Sequence, residues 1–185
     1  MPFKPTKSDL AAAFGKRIPD LISSDLDVLF CGINPGLYSG ATGHHFARPG
    51  NRFWPTLKAA GFTRELVSPW DERELLDYGI GITNLVARTT AAAAELEADE
   101  LRSGRAILQR KVRRYRPRAV AVLGIGAYRM AFDSPSAAFG RQPEHLAEAE
   151  LWVLPNPSGL NASYQLPDLA RSFGELREAV RKVGS

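Results

Sequence analysis

Two asparagine-containing turns, far apart along the chain, are the segments best suited to chemistry. The first is Gly32-Ile33-Asn34-Pro35-Gly36-Leu37, directly after the apolar run 27–31. The second is Asn156-Pro157-Ser158-Gly159-Leu160, directly after the apolar run 151–154. Turns at the carboxyl ends of parallel strands lie at one edge of a sheet, where α/β proteins bind ligands. Because each turn offers a carboxamide and backbone N–H groups, we expect the two to form one composite site.

The elements that must position these turns alternate between strand and helix patterns. Buried-strand patterns occur at 27–31, 80–86, 119–123 and 151–154, and helical patterns occur at 9–14 (capped by Ser8), after Asn51, at 72–77, at 98–115, up to Phe132 and from Pro167 onward. Such alternation predicts a three-layer α/β/α fold with a mainly parallel, about four-stranded central sheet. We expect a single domain over residues 1–185, with residues 1–17 as a loosely attached N-terminal segment.

Composition excludes several classes of protein. The single cysteine, Cys31, excludes a disulfide framework, a zinc site built on several thiolates and a cysteine-ligated iron–sulfur cluster. No apolar stretch approaches the ~20 residues of a membrane span, and the polar N-terminus lacks a signal-peptide core. We therefore expect a soluble intracellular protein, cytoplasmic in a bacterium, that does not bind membranes. The net charge of +4 is compatible with a polyanionic partner but is weak evidence alone.

The two turns resemble the two motifs of the uracil-DNA glycosylase superfamily, in its branch of mismatch-specific uracil and thymine DNA glycosylases. Three segments between them also resemble that branch, in the same order: Gly43-His44-His45-Phe46, Pro49-Gly50-Asn51-Arg52-Phe53-Trp54 and Tyr78-Gly79-Ile80-Gly81-Ile82-Thr83-Asn84. The similarity runs from about Ile18 to the last helix. It implies a DNA repair enzyme that flips uracil out of double-stranded DNA and hydrolyses its N-glycosidic bond, leaving an abasic site. Uracil opposite guanine would be the main substrate, with thymine or modified pyrimidines processed more weakly.

The resemblance implies a catalytic role for Asn34, which would position the attacking water and contact the base. A neutral carboxamide cannot be a strong general base, so the rate would depend on electrostatics and orientation. The uracil-specific branch has Asp in the first motif and His in the second, where this chain has Asn34 and Asn156. That difference implies a slower and more permissive enzyme. The base-binding pocket would comprise Gly32, Ile33, Pro35, Gly36, Ser39, His45, Phe46 and Asn156.

Two of these pocket residues have specific expected roles. Phe46 would stack on the flipped base, because the π-face of a nucleobase suits an aromatic ring. The hydroxyl of Ser39 would crowd a methyl group at the 5-position of the base, which favours uracil over thymine. His44 and His45 have no acidic or thiolate partner at metal-ligand spacing, so we expect no metal site, and the resemblance implies no cofactor.

The second turn would enter the duplex. Gly159 and Leu160 match the part of the family's second motif that enters the duplex, so the resemblance implies that Leu160 is an apolar wedge that fills the gap left by the flipped base. The backbone groups of Gly159 and Asn161 would bond to the orphaned guanine, and Ser158 would contact a phosphate. Neither turn contains a lysine that could form a Schiff base, so we expect a monofunctional enzyme. We also expect it to act as a monomer.

Some residues depart from the family pattern, and two other functions stay open. Ala162, Ile125 and Ala87 stand where family members often have Arg, Lys and an acidic residue. If a carboxylate assists the water, the candidates are Glu95 and Asp77. Gly124-Ile125-Gly126 lacks the third glycine of a dinucleotide fingerprint, and the basic series 102–118 is more typical of a solvated helix face than of a DNA contact. A phosphate-ligand-binding α/β enzyme or a non-catalytic DNA lesion-binding module would use the same turns differently.

Overall fold

A five-stranded sheet in the order β2-β1-β3-β5-β4 forms the centre of the fold, in a computed structural model that describes residues 2–183. The strands are β1 (Val28–Gly32), β2 (Ile80–Asn84), β3 (Ala119–Leu123), β4 (Gly140–Leu146) and β5 (Ala149–Leu154). All neighbouring pairs are parallel except β4 and β5, which are antiparallel. The predicted fold class is therefore confirmed, with one strand more than the four that the sequence indicated.

Helices cover both faces of this sheet. They are α1 (Lys7–Ala12), α2 (Leu37–Thr42), α3 (Phe53–Ala59), α4 (Ala98–Tyr115), α5 (Ile125–Ala131) and α6 (Leu166–Val183), with 3₁₀ helices at Pro69–Tyr78 and Ala93–Glu95. Helices α3 and α6 pack on one face, and α4 and α5 pack on the other. None of the described helices is long and apolar enough to cross a membrane.

Strand β1 contributes side chains to the core on both faces of the sheet, because successive side chains point to opposite faces. The Phe30 ring contacts the rings of Phe53, Phe62 and Phe173, each at a centroid distance of 5.5 Å. On the opposite face Cys31 is fully buried, and burial raises the pKa of its thiol. The cysteine is therefore a packing residue and is not poised as a nucleophile.

The strand that the sequence did not reveal is β4, at the edge of the sheet. Its residues are mostly polar and include Pro143, which removes one backbone N–H from the ladder. The pairing register with β5 also shifts between Arg141 and His145. An irregular, polar edge strand gives no clean alternation of apolar and polar residues, so its pattern is typical of a loop.

Residues 1–17 are expected from the sequence to attach loosely; in the structure, the end of this segment bonds to the loop after β2. Gly15 N donates to the Thr89 carbonyl at 3.0 Å, and Thr89 N donates to the Lys16 carbonyl at 2.8 Å. The Thr89 hydroxyl donates to the Ala13 carbonyl. Helix α1 begins after Thr6, whose side chain accepts from Asp9 N, so Thr6 and not Ser8 is its N-cap.

Candidate active site

A cavity of about 510 Å³ opens at the carboxyl ends of the parallel strands. The ends of β1, β2 and β3 contribute Gly32, Asn84 and Leu123, and Asn156 follows β5. Eleven of the residues predicted for the site line this cavity: Gly32, Ile33, Asn34, Pro35, Gly36, Ser39, His45, Phe46, Asn156, Ser158 and Leu160. Gly159 and Asn161 lie in the same loop but do not line the cavity. The two turns thus meet at the carboxyl ends of the parallel strands.

The carboxamide of Asn34 is held in one orientation. Its Nδ2 donates to the Arg88 carbonyl at 3.0 Å and to the Thr90 hydroxyl at 2.7 Å. The Thr90 hydroxyl in turn donates to the Ala92 carbonyl at 2.9 Å. A carbonyl can only accept, so these bonds identify the nitrogen side of the amide. Among the described residues nothing bonds to Oδ1, which leaves an acceptor on a side chain that lines the cavity.

The loop that holds Asn34 is itself braced by an ion pair. Arg88 Nε lies 2.6 Å from Glu100 Oε1, and Nη2 lies 3.0 Å from Oε2. This bidentate contact holds the pKa of Glu100 at about 2, so the carboxyl group is ionised at neutral pH. Sequence reasoning missed both Thr90 and this brace. No local pattern marks them, since 56 residues separate Thr90 from Asn34.

Gly32 makes room for two side chains of the cavity. A Cβ atom there would lie 2.6 Å from Asn84 Oδ1 and 3.4 Å from Phe46 Cζ. Phe46 adopts a φ of 49°, which is unusual for a bulky residue, and its carbonyl accepts from Trp54 Nε1 at 3.2 Å. Its ring packs on Phe53 at a centroid distance of 4.3 Å and also borders the cavity. The backbone therefore fixes an aromatic ring at the cavity wall.

Asn84 is the second residue that sequence reasoning missed as a site residue. It ends β2, is half-buried and lines the cavity. Within the described part of the chain, its carboxamide has no hydrogen-bond partner. A half-buried amide without partners is costly unless water or a ligand bonds to it. The sequence did contain a signal for Asn84 as a site residue, because it is the last residue of the segment 78–84 that resembles the family.

Ser39 and His45 form a buried polar wall. The Ser39 hydroxyl accepts from Ala47 N at 3.3 Å. His45 is only 2% exposed, and its Nε2 lies 2.8 Å from the Pro19 carbonyl, so this nitrogen carries the proton. Burial lowers the pKa of His45, against the opposing effect of nearby Glu72, and therefore favours the neutral ring.

Glu72 is an acidic partner that the sequence did not indicate for the histidine pair. It accepts from His45 N at 2.9 Å, and its Oε1 lies 3.4 Å from His44 Nδ1. The contact is made across 27 residues, which no spacing rule would detect. Across the part of the chain that is described, no three potential ligands come together as a metal site.

The second turn is shaped by its own polar side chains. Asn156 Oδ1 accepts from Ser158 N at 3.0 Å, and Ser158 Oγ accepts from Leu160 N at 3.2 Å. Asn161 Nδ2 donates to the Asn156 carbonyl at 3.0 Å. Such side-chain bonds to nearby backbone are typical of tight turns. They leave Leu160 at the tip with 75% of its surface exposed, on the rim of the cavity.

No carboxylate is among the described residues that line the cavity. Glu95 is exposed and accepts from Ala92 N at 2.7 Å, which caps a 3₁₀ helix. Asp77 lies just before the amino end of β2, whereas the cavity lies at the carboxyl ends of the strands. The structure therefore does not bring either candidate carboxylate to the site.

Most members of the basic series 102–118, on α4 and just after it, have a partner within the protein. Lys111 Nζ lies 2.6 Å from Asp20 Oδ2 and donates to the Thr83 hydroxyl at 3.0 Å. Others pair with acidic residues or lie over aromatic rings: Arg102, Arg105, Arg114, Arg116 and Arg118. The series therefore has contacts within the protein, although the side chains of Arg102, Arg116 and Arg118 are at least half exposed.

The fold and the site define an α/β/α protein with a carboxamide-lined cavity beside an exposed apolar loop tip. Residues 19–182 match the family described as "Uracil DNA glycosylase superfamily". Because this match covers most of the chain, the chain belongs to the uracil DNA glycosylase superfamily. Its activity is that of a DNA glycosylase, a hydrolase that acts on DNA.

A solved structure has a similar fold. It is a solution NMR structure of a protein from Methanosarcina acetivorans described as "a putative Uracil DNA glycosylase". The match has a TM-score of 0.59 and 16% sequence identity, and covers 89% of this chain and 99% of the other. At this identity the likeness concerns the fold alone.

Proposed function

We propose that this protein is a monofunctional, mismatch-specific DNA glycosylase that flips uracil opposite guanine into the cavity and hydrolyses its N-glycosidic bond. The product is an abasic site in an unbroken strand. The observation that carries the proposal is the fixed carboxamide of Asn34, which presents Oδ1 as an unoccupied acceptor. The protein works as a monomer on double-stranded DNA and needs no metal or cofactor.

Base recognition falls to groups at the two sides of the cavity. Asn84 has both a donor and an acceptor free, and uracil offers the complementary pair, N3–H and O4, on one edge. Phe46 supplies a ring against which the base stacks. Ser39, which lines the same cavity as His45, would crowd a methyl group at the 5-position of the base and so favours uracil over thymine.

Hydrolysis proceeds through positioning and charge stabilisation. Asn34 Oδ1 accepts a hydrogen bond from the attacking water and directs an oxygen lone pair toward the sugar carbon. Negative charge develops on the departing uracil, where backbone N–H groups around Ile33 to Leu37, other than at Pro35, stabilise it. The water's proton passes to solvent, because the described cavity wall holds no carboxylate that would take it. Such a site is expected to be slow, since no strong base assists.

The proposal is tested on a labelled duplex that contains a single G·U pair, with single-turnover cleavage read out after alkaline treatment. We expect strand breaks only after alkali, and no covalent adduct with borohydride, because no lysine lies in either turn. Asn34→Ala should lower the rate by roughly 100-fold or more while the duplex is still bound. Asp77→Asn is the control and should retain the parental rate, since this exposed residue lies near the amino ends of the strands, away from the cavity.

Three results would contradict parts of the proposal. Absence of alkali-labile product from every uracil substrate would contradict the glycosylase activity and leave the two alternatives, a DNA lesion-binding module and a phosphate-ligand-binding enzyme. Borohydride trapping would show an amine nucleophile, and near-parental cleavage by Asn34→Ala would remove that residue from catalysis.

A further inference from the structure

Arg52, at the start of α3, binds the second turn through several backbone carbonyls at once. Its Nη2 donates to the carbonyls of Ser158 and Asn161 at 2.6 and 2.9 Å. Its Nη1 donates to the Tyr164 carbonyl. The backbone N–H of Arg52 also donates to the Pro157 carbonyl, at 2.9 Å. One residue thus holds the loop on both sides of its tip.

These bonds need an arginine. The guanidinium is a planar fork with several donors, whereas a lysine ammonium is a single compact charge that cannot span three carbonyls in the same way. None of the ion pairs found among the described residues involves Arg52, so its donors go to carbonyls in place of a carboxylate. Its Nε is buried without a partner, which is unfavourable for stability. That cost is consistent with a position fixed by function.

The loop sits directly on the segment that contains Arg52. A Cβ atom on Gly159 would lie 2.6 Å from the Gly50 carbonyl oxygen, so only glycine fits this contact. Leu160, next in the chain, is exposed and gains nothing from the protein core that would hold it in place. The position of the tip is therefore set by the contacts of Gly159 and Arg52.

We propose that Arg52 is a positioning residue for base flipping, which holds the loop 157–164 in the shape that lets Leu160 enter the duplex. This inference rests on the proposed function. A loop ordered before binding does not lose conformational freedom during insertion, so the wedge is available without that cost. The effect is on extrusion of a paired base, and the hydrolysis step itself does not involve Arg52.

The same short segment also connects the wedge to the base pocket. Asn51 Oδ1 accepts from Phe53 N at 2.9 Å and fixes the first turn of α3. The Phe53 ring packs on Phe46, the aromatic wall of the cavity. Residues 51–53 therefore place the insertion loop and the stacking ring relative to each other.

The experiment compares Arg52→Lys, Arg52→Met and Leu160→Ala with the parent on U opposite A, U opposite G and single-stranded U, at fixed salt. Lys58→Met, which removes an exposed positive charge from the same helix, is the matched control. Unstacking a base costs a few kcal/mol when it is paired and least when it is single-stranded. We expect all three variants to lose about tenfold or more on U·A, less on U·G, and within about twofold on single-stranded U.

A second measurement reads the loop without catalysis. Hydrogen–deuterium exchange of a peptide covering 157–164 should be faster in both Arg52 variants than in the parent and in Lys58→Met, because the carbonyl anchors are lost. The proposal is overturned if Arg52→Lys matches the parent while Arg52→Met loses equally on all three substrates, since that pattern marks a phosphate contact. An equal loss in both variants, with single-stranded U included, would mark a structural role and also overturn it. If the parent cleaves no uracil substrate, the proposed function fails, whereas unchanged exchange in the variants refutes the role of Arg52 alone.

Discussion

Asn34→Asp should reduce activity, although it introduces the residue type that the uracil-specific branch has in its first motif. In the structure, the Nδ2 position of Asn34 faces the Arg88 carbonyl at 3.0 Å and the Thr90 hydroxyl at 2.7 Å. A carboxylate oxygen in that position would face a carbonyl oxygen, which cannot donate. The Thr90 hydroxyl could turn to donate to the new carboxylate, but it would then leave the Ala92 carbonyl without its hydrogen bond.

The size of the effect follows from the bonds that are lost. Two hydrogen bonds, each contributing about 1 kcal/mol net, are replaced by at least one close contact between acceptors. A total of about 3 kcal/mol against the productive orientation corresponds to a rate loss of roughly 100-fold, at about 1.4 kcal/mol for each factor of ten. The introduced carboxyl group, when protonated, could donate to the Arg88 carbonyl, so its pKa should be raised above the usual value.

The assay is a single-turnover pH–rate profile of parent and Asn34→Asp on the G·U duplex. A raised folded-state pKa favours the neutral carboxyl, so the variant's deficit in rate and in unfolding free energy should be smallest at low pH. It should grow as pH rises from the ordinary carboxyl pKa of about 4 through the raised value. A variant at or above the parental rate at about pH 8, rising with pH, would refute the reasoning and indicate a working general base.

Two further predictions concern the cavity wall. Gly32→Ala should lower the cleavage rate by roughly tenfold with little change in duplex binding, because the new methyl group would lie 2.6 Å from Asn84 Oδ1 and displace that carboxamide. Unchanged single-turnover rates would show that cleavage does not depend on the observed position of the Asn84 carboxamide. His45→Gln, which keeps a donor for the Pro19 carbonyl, should make stability less sensitive to acid. Since burial lowers the pKa of His45 in the folded state, the parent should lose stability as pH falls below about 6.5, and denaturant unfolding at about pH 7.5 and 5.5 should show a smaller loss in the variant.

The sequence was sufficient for the framework because apolar runs and turn residues are local signals. Strands β1, β2, β3 and β5 were predicted close to their observed bounds, and their parallel arrangement places the two asparagine turns at one edge. Strand β4 was missed because its polar, proline-containing sequence forms an irregular edge. Helix α2 was missed because its N-cap is Gly36, which offers no side-chain cap and lies inside the first turn.

The supporting contacts could not be predicted because each joins segments that are distant in sequence. Thr90 meets Asn34 across 56 residues, and Arg52 meets Asn161 across 109. Both partners are ordinary polar residues in loops, and neither spacing nor periodicity distinguishes them from solvated side chains. Only the packing of the loops at the sheet edge decides which of them bond to the site.

The asparagines of the site differ in how their carboxamides are bonded, and this difference separates their roles. Asn156 and Asn161 bond to backbone of their own loop and so shape the wedge. The nitrogen of Asn34 is bonded to the protein and its oxygen has no partner among residues 2–183, which suits a water that must be held in one direction. Asn84 has neither side of its amide bonded within the described chain, which suits a base edge with one donor and one acceptor. Under the proposed function, a single residue type would therefore serve loop shape, water orientation and base recognition, and its hydrogen bonds, not its position in a motif, would distinguish the three.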